Sequence, residues 1–202
     1  MLKCKRVAVT GALASGKSTT CAFFHDLGAY VVSADTITHQ LLLSDTVLIQ
    51  KVCSLLGNSI LVNGAIDRKK VGKLVFQSPE LLKKLEKIIH PAVKRELERE
   101  WDKALHEQKT LYVAEVPLLF EAGFDTWFDA TIMVFAQEST CQKRFCLQNK
   151  GDPSVYLARM QRQMQGDEKA KRATYIINNQ GSLQELRSEV TSLYNQLTGA
   201  SA

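Results

Sequence analysis

Five short apolar runs rich in β-branched residues, at 5–10, 30–33, 110–114, 130–135 and 174–177, alternate along the chain with stretches of helical period. Runs of this kind separated by helices predict a parallel sheet with helices on its faces. After the first run, Cys21, Phe23, Phe24 and Leu27 fall on one helical face and Gly28 supplies the stop. The period is clearest at the end of the chain. There Leu183, Leu186, Val190, Leu193 and Leu197 mark an amphipathic helix expected to pack on the sheet. The expected fold class is α/β.

Two segments interrupt the alternation. Residues 34–109 hold no convincing strand and predict helices near 45–56, 68–76 and 79–106. That is too long for a simple crossover. It reads as a helical insertion over the carboxyl ends of the strands, where open α/β sheets bind ligands, and as the place for a second substrate. His90-Pro91 falls inside the longest of these helices and predicts a kink or a break, because proline lacks an N–H and crowds the preceding turn. From about 138 to 172 a second helical excursion, rich in Arg and Gln and turning at Asn149-Lys150-Gly151-Asp152-Pro153, is a candidate lid. The chain reads as one domain over 1–202, with a core of about 1–40, 108–137 and 173–200, an insertion of about 41–107 and a lid of about 138–172.

The 202 residues, 45% of them hydrophobic, can bury a sizeable core. No apolar run reaches the roughly 18 residues that suggest a membrane span, and no secretory leader precedes the first strand, so a cytoplasmic protein without membrane contact is expected. Cys4, Cys21, Cys53, Cys141 and Cys146 are odd in number, form no CxxC pair and lie mostly in apolar runs, which suits reduced, buried thiols. His25, His39 and His106 show no metal-ligand spacing, so no zinc site is expected. The net charge of +5 is mostly spread over solvated helix faces. The exception is Lys143, Arg144, Lys150, Arg159, Arg162, Lys169, Lys171 and Arg172, opposed only by Asp152, Asp167 and Glu168. A polyphosphate pocket would use that excess. A nucleic-acid surface would interleave aromatic residues among the cations, and this segment does not.

Directly after the first strand stands Gly11-Ala12-Leu13-Ala14-Ser15-Gly16-Lys17-Ser18. The pattern GxxxxGK[ST] lets backbone N–H groups surround the β- and γ-phosphates of a nucleotide at a helix N-terminus. Gly11 through Thr19 thus form the candidate cofactor-binding run, with Lys17 neutralising phosphate charge and Ser18 ligating Mg²⁺. Ala12 and Ala14 carry Cβ atoms that crowd such a loop, and the backbone there is expected to keep φ negative.

Asp35, just beyond the second strand, has two readings: a general base for an attacking hydroxyl, or an N-cap for a helix starting at Thr36. The two roles can coexist. Glu115 ends the third strand, as an acid holding a metal-bound water or as a half-exposed acid paired with Lys or Arg. Arg144 would grip bridging and γ-phosphate oxygens on closure, with Arg159 and Arg162 adding charge, unless these lie on solvated faces. Asn179 offers hydrogen bonds to an adenine edge, or else Asn178-Asn179-Gln180-Gly181 is a turn. Arg68 and His90, in the insertion, could meet phosphates of a second, anionic substrate; the plainer role of His90 is a helix-terminal donor.

In this order the pieces resemble the dephospho-coenzyme A kinases, a family of P-loop kinases. The resemblance covers residues 5 to about 197 and rests on Thr10-Gly11 to Ser18, Val32-Ser33-Ala34-Asp35, Gly64-Ala65-Ile66-Asp67-Arg68, Leu85 to Pro91, Pro117-Leu118-Leu119-Phe120-Glu121, Arg144, Arg159 to Gln163 and Asn179 to Leu183. It implies a P-loop kinase-type three-layer α/β/α fold with a five-stranded parallel sheet, a helical substrate-binding insertion and a helical lid. It implies transfer of the ATP γ-phosphate, with Mg²⁺, to the ribose 3′-hydroxyl of dephospho-coenzyme A, and a monomer with self-association left open. By the same implication Asp35 orients or deprotonates the hydroxyl, Lys17 and Arg144 hold the transferring phosphate, and Asp35, Arg68, His90, Pro117 and Leu118 meet the acceptor. The chain departs from the family pattern at Ala12 and Ala14, where Gly is usual, at Ser33, where Asp is common, and at Cys141 and Gln148, where Gln and Arg are frequent. A different small-molecule kinase and a nucleotide-dependent nucleic-acid binder are the rival readings.

Overall fold

The computed structural model describes residues 4–76, 78–149, 152–161 and 163–199. The chain divides into two compact units, one from the residues up to Ser33 and from Trp101 onward, the other Ala34–Glu100.

The first unit is built on five parallel strands, β1 (Lys5–Gly11), β2 (Tyr30–Ser33), β5 (Leu111–Glu115), β6 (Ala130–Phe135) and β7 (Tyr175–Asn178), in the order β2-β5-β1-β6-β7. Every expected strand is present to within one residue at either end. They form because Val7, Val9, Leu111, Val113, Ile132 and Val134, mostly β-branched, are almost wholly withdrawn from solvent, and pairing between strands satisfies their backbone groups there. Helices α1 (Lys17–Asp26) and α9 (Leu183–Thr198) close one face through Cys21, Phe24, Leu186, Val190, Leu193 and Leu197. On the other face, buried Tyr112 meets the edges of Trp101 and Trp127, and Arg6 lies over both indoles while pairing with Asp129 at 3.1 Å. Between β6 and β7 run α6 (Glu138–Asn149), α7 (Pro153–Met160) and α8 (Gly166–Arg172). Asp152 caps α7 through the Ser154 amide; Lys150, Gly151 and Arg162 lie outside the described residues.

Register brings the carboxyl ends of the strands together. Val9 and Ser33 both sit opposite Glu115, Gly11 opposite Val134, and Phe135 opposite Asn178. With β1 central, the loop after Gly11 leaves the sheet between β5 and β6, the crevice where ligands bind in such sheets.

The second unit holds α2 (Ala34–Ser44), α3 (Thr46–Leu56), β3 (Leu61–Val62), β4 (Ala65–Ile66), α4 (Arg68–Phe76) and most of α5 (Pro79–His106). Its own core gathers Leu42, Leu48, Val52, Ile60, Ile66, Val71, Val75, Leu85 and Ala92. The helices match expectation. Two features do not. The segment contains an antiparallel hairpin, Leu61 opposite Ile66 and Val62 opposite Ala65, whose two-residue turn Asn63-Gly64 has φ of 50° and 80°. Asn-Gly is the strongest short signal for such a turn, and the strands are too short to show a period of two. Also, of the kink or break expected at Pro91, the break is absent: α5 runs on through it. Proline forfeits one hydrogen bond, but the helix extends more than two turns on either side and Ala92 packs in the core beside it.

Candidate active site

Glycines at two positions shape the loop between β1 and α1. A Cβ at Gly11 (φ 148°) would collide with the carbonyl oxygen of Val134, and one at Gly16 (φ 102°), which caps α1, with the side-chain amide of Asn179. The loop therefore follows a path only glycine permits. Ala14 corrects the expectation of negative φ: it sits at φ 60°. The left-handed region costs a non-glycine residue roughly 1–2 kcal/mol. Ala12, Leu13 and Ala14 pack against a cluster of Ala136, Cys141, Phe145 and Tyr156, and burying a methyl there returns about 0.8 kcal/mol.

Lys17 is buried, and its ammonium donates to the carbonyls of Gly11 at 3.1 Å and Ala12 at 2.8 Å. Two of its three donors thus hold it above the loop. Ser18 donates to Glu115 Oε1 at 3.0 Å, so a hydroxyl and a carboxylate stand side by side at the head of α1. Glu115 thus has a hydroxyl partner at the end of β5. An all-oxygen pair of this kind suits a hard cation.

The far wall comes from the segment between β6 and α9. The Asn179 side chain donates to the Ser15 carbonyl at 2.7 Å, and the Arg144 guanidinium donates to the Asn179 carbonyl at 3.2 Å and, at a longer 3.5 Å, to that of Ser15. Arg144 and Asn179 are thus latched to the loop and to each other. Together with Lys17, Ser18, Thr19 and Leu183 they border a cavity of about 430 Å³. Leu183 was expected on the packing stripe of α9 but is 67% exposed on this rim. It precedes the buried stripe by one turn, and period alone does not tell a rim residue from a core one. A larger depression of about 620 Å³ along the polar outer face of α9 lies elsewhere; its cation, Arg187, pairs with Asp26.

Part of the basic excess after residue 140 is bound up in structure. Lys169 pairs with Glu121, Arg172 with Asp125 while covering Phe120, and Arg159 lies over Phe145. Pro117 and Leu118, half-buried, follow Glu115 by two and three residues. In the second unit, Asp35 is exposed in the first turn of α2, one residue inside the helix rather than capping it. Arg68, exposed, opens α4; Asp67 caps that helix through the Lys69 amide at 2.8 Å. His90 is half-buried, and burial lowers its pKa below the usual histidine value against a smaller opposing effect of Glu86. Burial raises the Cys21 and Cys141 thiols and lifts Cys4 to about 11, so these three stay protonated. Cys53 and Cys146 are only half-buried. No helix among the described residues is long and apolar enough to cross a membrane.

A parallel sheet with this loop at its central strand, a buried lysine held over it and an arginine latched opposite defines a phosphate-loop kinase. The family model for dephospho-CoA kinase matches residues 5–185. The chain is 44% identical to the dephospho-CoA kinase of Protochlamydia amoebophila over 98% of each chain. Among solved structures it is similar to TT1252 from Thermus thermophilus (TM-score 0.84, 31% identity, 98% of this chain and 100% of that one). It is also similar to the dephospho-CoA kinase from Campylobacter jejuni (TM-score 0.71, 29% identity, 96% and 97% covered). The chain belongs to the dephospho-CoA kinase family, and its activity is the phosphorylation of dephospho-coenzyme A that completes coenzyme A biosynthesis.

Proposed function

We propose that the cavity at the phosphate loop takes ATP with Mg²⁺ and that the chain transfers the γ-phosphate in line to the ribose 3′-hydroxyl of dephospho-coenzyme A. The observation that carries this reading is the engaged state of the loop: Lys17 is held by two carbonyls and Arg144 by a third and a fourth, so both cations are placed in advance. Cations fixed before the reaction stabilise developing charge without reorganising at that moment, which is the main source of rate in phosphoryl transfer.

Ser18 and Glu115 fit Mg²⁺ by donor chemistry. Held there, the ion would supply positive charge to neutralise the phosphate oxygens. Lys17 neutralises the β- and γ-phosphates from the loop side and Arg144 from the opposite wall. Asn179, by bracing Ser15, keeps the backbone amides turned toward the phosphates, and the adenine lies against the 179–183 segment. Asp35 holds and receives the proton of the ribose hydroxyl, its carboxylate sitting in the favourable first turn of a helix that starts where β2 ends. Arg68, His90, Pro117 and Leu118 face the acceptor. The reading is of a cytoplasmic enzyme acting on small molecules, a monomer with self-association left open.

The test is to supply Mg²⁺-ATP with dephospho-coenzyme A, adenosine, AMP or shikimate and follow ADP and phosphorylated product by chromatography. Equal formation of ADP and coenzyme A, with the other acceptors silent, is the expected result. ADP formed only with another acceptor would refute the assignment.

A further inference from the structure

Lys169 is a charged group that the reading above does not use. Its side chain is 1% exposed. An ammonium so buried is tolerated only when paired and hydrogen-bonded. Its Nζ lies 2.9 Å from Glu121 Oε1 and donates to the Pro117 carbonyl at 2.8 Å. Each acceptor also serves a second donor. The Pro117 carbonyl takes the hydroxyl of buried Thr10 at 3.2 Å, and Glu121 Oε1 takes the Met164 amide at 2.7 Å. Two separate stretches are therefore tied to the two ends of one loop, Pro117–Glu121. Thr10 immediately precedes Gly11 of the phosphate loop. Met164 and Lys169 belong to the return from α7 to β7.

Such a network is poor evidence for stability, because apolar residues of similar size often serve as well. Its attested use is to fix register, and satisfied buried networks are rigid. What is fixed here is the loop that leaves β5 two residues after Glu115.

We propose that Lys169 is a positioning residue for the acceptor: by clamping both ends of Pro117–Glu121 it sets Pro117 and Leu118 against dephospho-coenzyme A. This rests on the reading that those two residues meet the acceptor. Lys169 itself touches neither substrate, and its removal acts on acceptor placement rather than on nucleotide binding.

The experiment compares Lys169→Met, Lys169→Arg and the double variant Lys169→Met/Glu121→Met with the unmodified protein. It measures initial rates of coenzyme A formation with each substrate varied, Mg²⁺-ADP affinity by calorimetry, and Tm. Lys169→Met is expected to lower kcat/KM for dephospho-coenzyme A by up to about 10²-fold, the cost of a small misplacement, and to leave Mg²⁺-ADP affinity within about threefold. The double variant removes the unpaired carboxylate and regains Tm but not kcat/KM, whereas Lys169→Arg, which keeps donors to both acceptors, recovers part of the rate. If the double variant recovers kcat/KM together with Tm, or if nucleotide affinity falls as far as the acceptor term, Lys169 is a structural tie and the proposal fails. Should Lys169→Met not fold, Thr10→Val, which removes the other donor to the Pro117 carbonyl at nearly constant volume, must raise KM for dephospho-coenzyme A selectively; an unchanged KM overturns the proposal. An unmodified protein that makes no coenzyme A defeats the underlying reading, whereas an active one with unaltered variants defeats this proposal alone.

Discussion

The phosphate loop and the segment Ala34–Glu100 hold their charged side chains in different ways. At the loop, Lys17, Ser18, Arg144 and Asn179 all have partners within the chain, and those partners are chiefly backbone carbonyls of the loop itself. In Ala34–Glu100, Asp35 and Arg68 are exposed on first turns of helices and His90 is half-buried. At the phosphate loop the side chains are held in place by backbone. Of the groups proposed for the acceptor, Asp35 and Arg68 stand on exposed side chains at helix starts, while His90 lies within α5. The difference teaches that nucleotide affinity and acceptor turnover are separable by mutation.

Lys17→Met should break the first half of that comparison most severely. Removing one prepositioned cation from a transferred phosphoryl group costs roughly 10²–10³ in kcat, read as coenzyme A formed per enzyme at saturating substrates. A loss below tenfold would mean the lysine is a loop brace only. Gly16→Ala comes next. Its Cβ overlaps the Asn179 amide at a φ of 102°, so the latch must open. Mg²⁺-ADP affinity measured by calorimetry should fall at least about tenfold, or 1.4 kcal/mol.

His90 sharpens the second half. Its folded pKa lies below the unfolded value, so the unfolded chain takes up the proton first as pH falls. Stability from this group is complete above the unfolded pKa of about 6.5 and is lost as pH drops from there toward the folded value. The Tm of His90→Gln should accordingly fall less than that of the unmodified protein between pH 7 and pH 5; parallel curves would remove His90 from the account. The smallest effect is expected at Ala14→Gly. Relief of roughly 1–2 kcal/mol of left-handed strain is offset by about 0.8 kcal/mol of lost methyl burial and about 0.4–1 kcal/mol of added chain entropy in the unfolded state. Stability by denaturant titration should therefore change by less than about 1 kcal/mol, and a larger shift in either direction would show that the loop's contact with Phe145 and Tyr156 is misjudged.

The parts legible in the sequence were those that short-range physics dictates. Val7 to Thr10 and Ile132 to Val134 read as strands because they are buried on both faces, and Gly11 to Ser18 read as a phosphate loop because a backbone cradle demands glycine at fixed spacing. What escaped depends on distant partners. Lys169 counted as pocket charge because nothing near it in sequence announces Glu121 or the Pro117 carbonyl. Ala14 read as a crowding risk because its apolar neighbours come from α6 and α7. Leu183 read as core because helical period repeats one turn past the packed face. The hairpin at Asn63-Gly64 is different: its signal was local and strong, and the surrounding helical period masked it.

The most direct test of separable halves is Mg²⁺-ADP calorimetry on Asp35→Asn alongside its rate of coenzyme A formation. Loss of a general base lowers turnover by about 10²–10⁴, and the account predicts that fall with nucleotide affinity unchanged within about threefold. A variant that keeps its turnover, or one whose affinity for Mg²⁺-ADP drops in step with its rate, would contradict it.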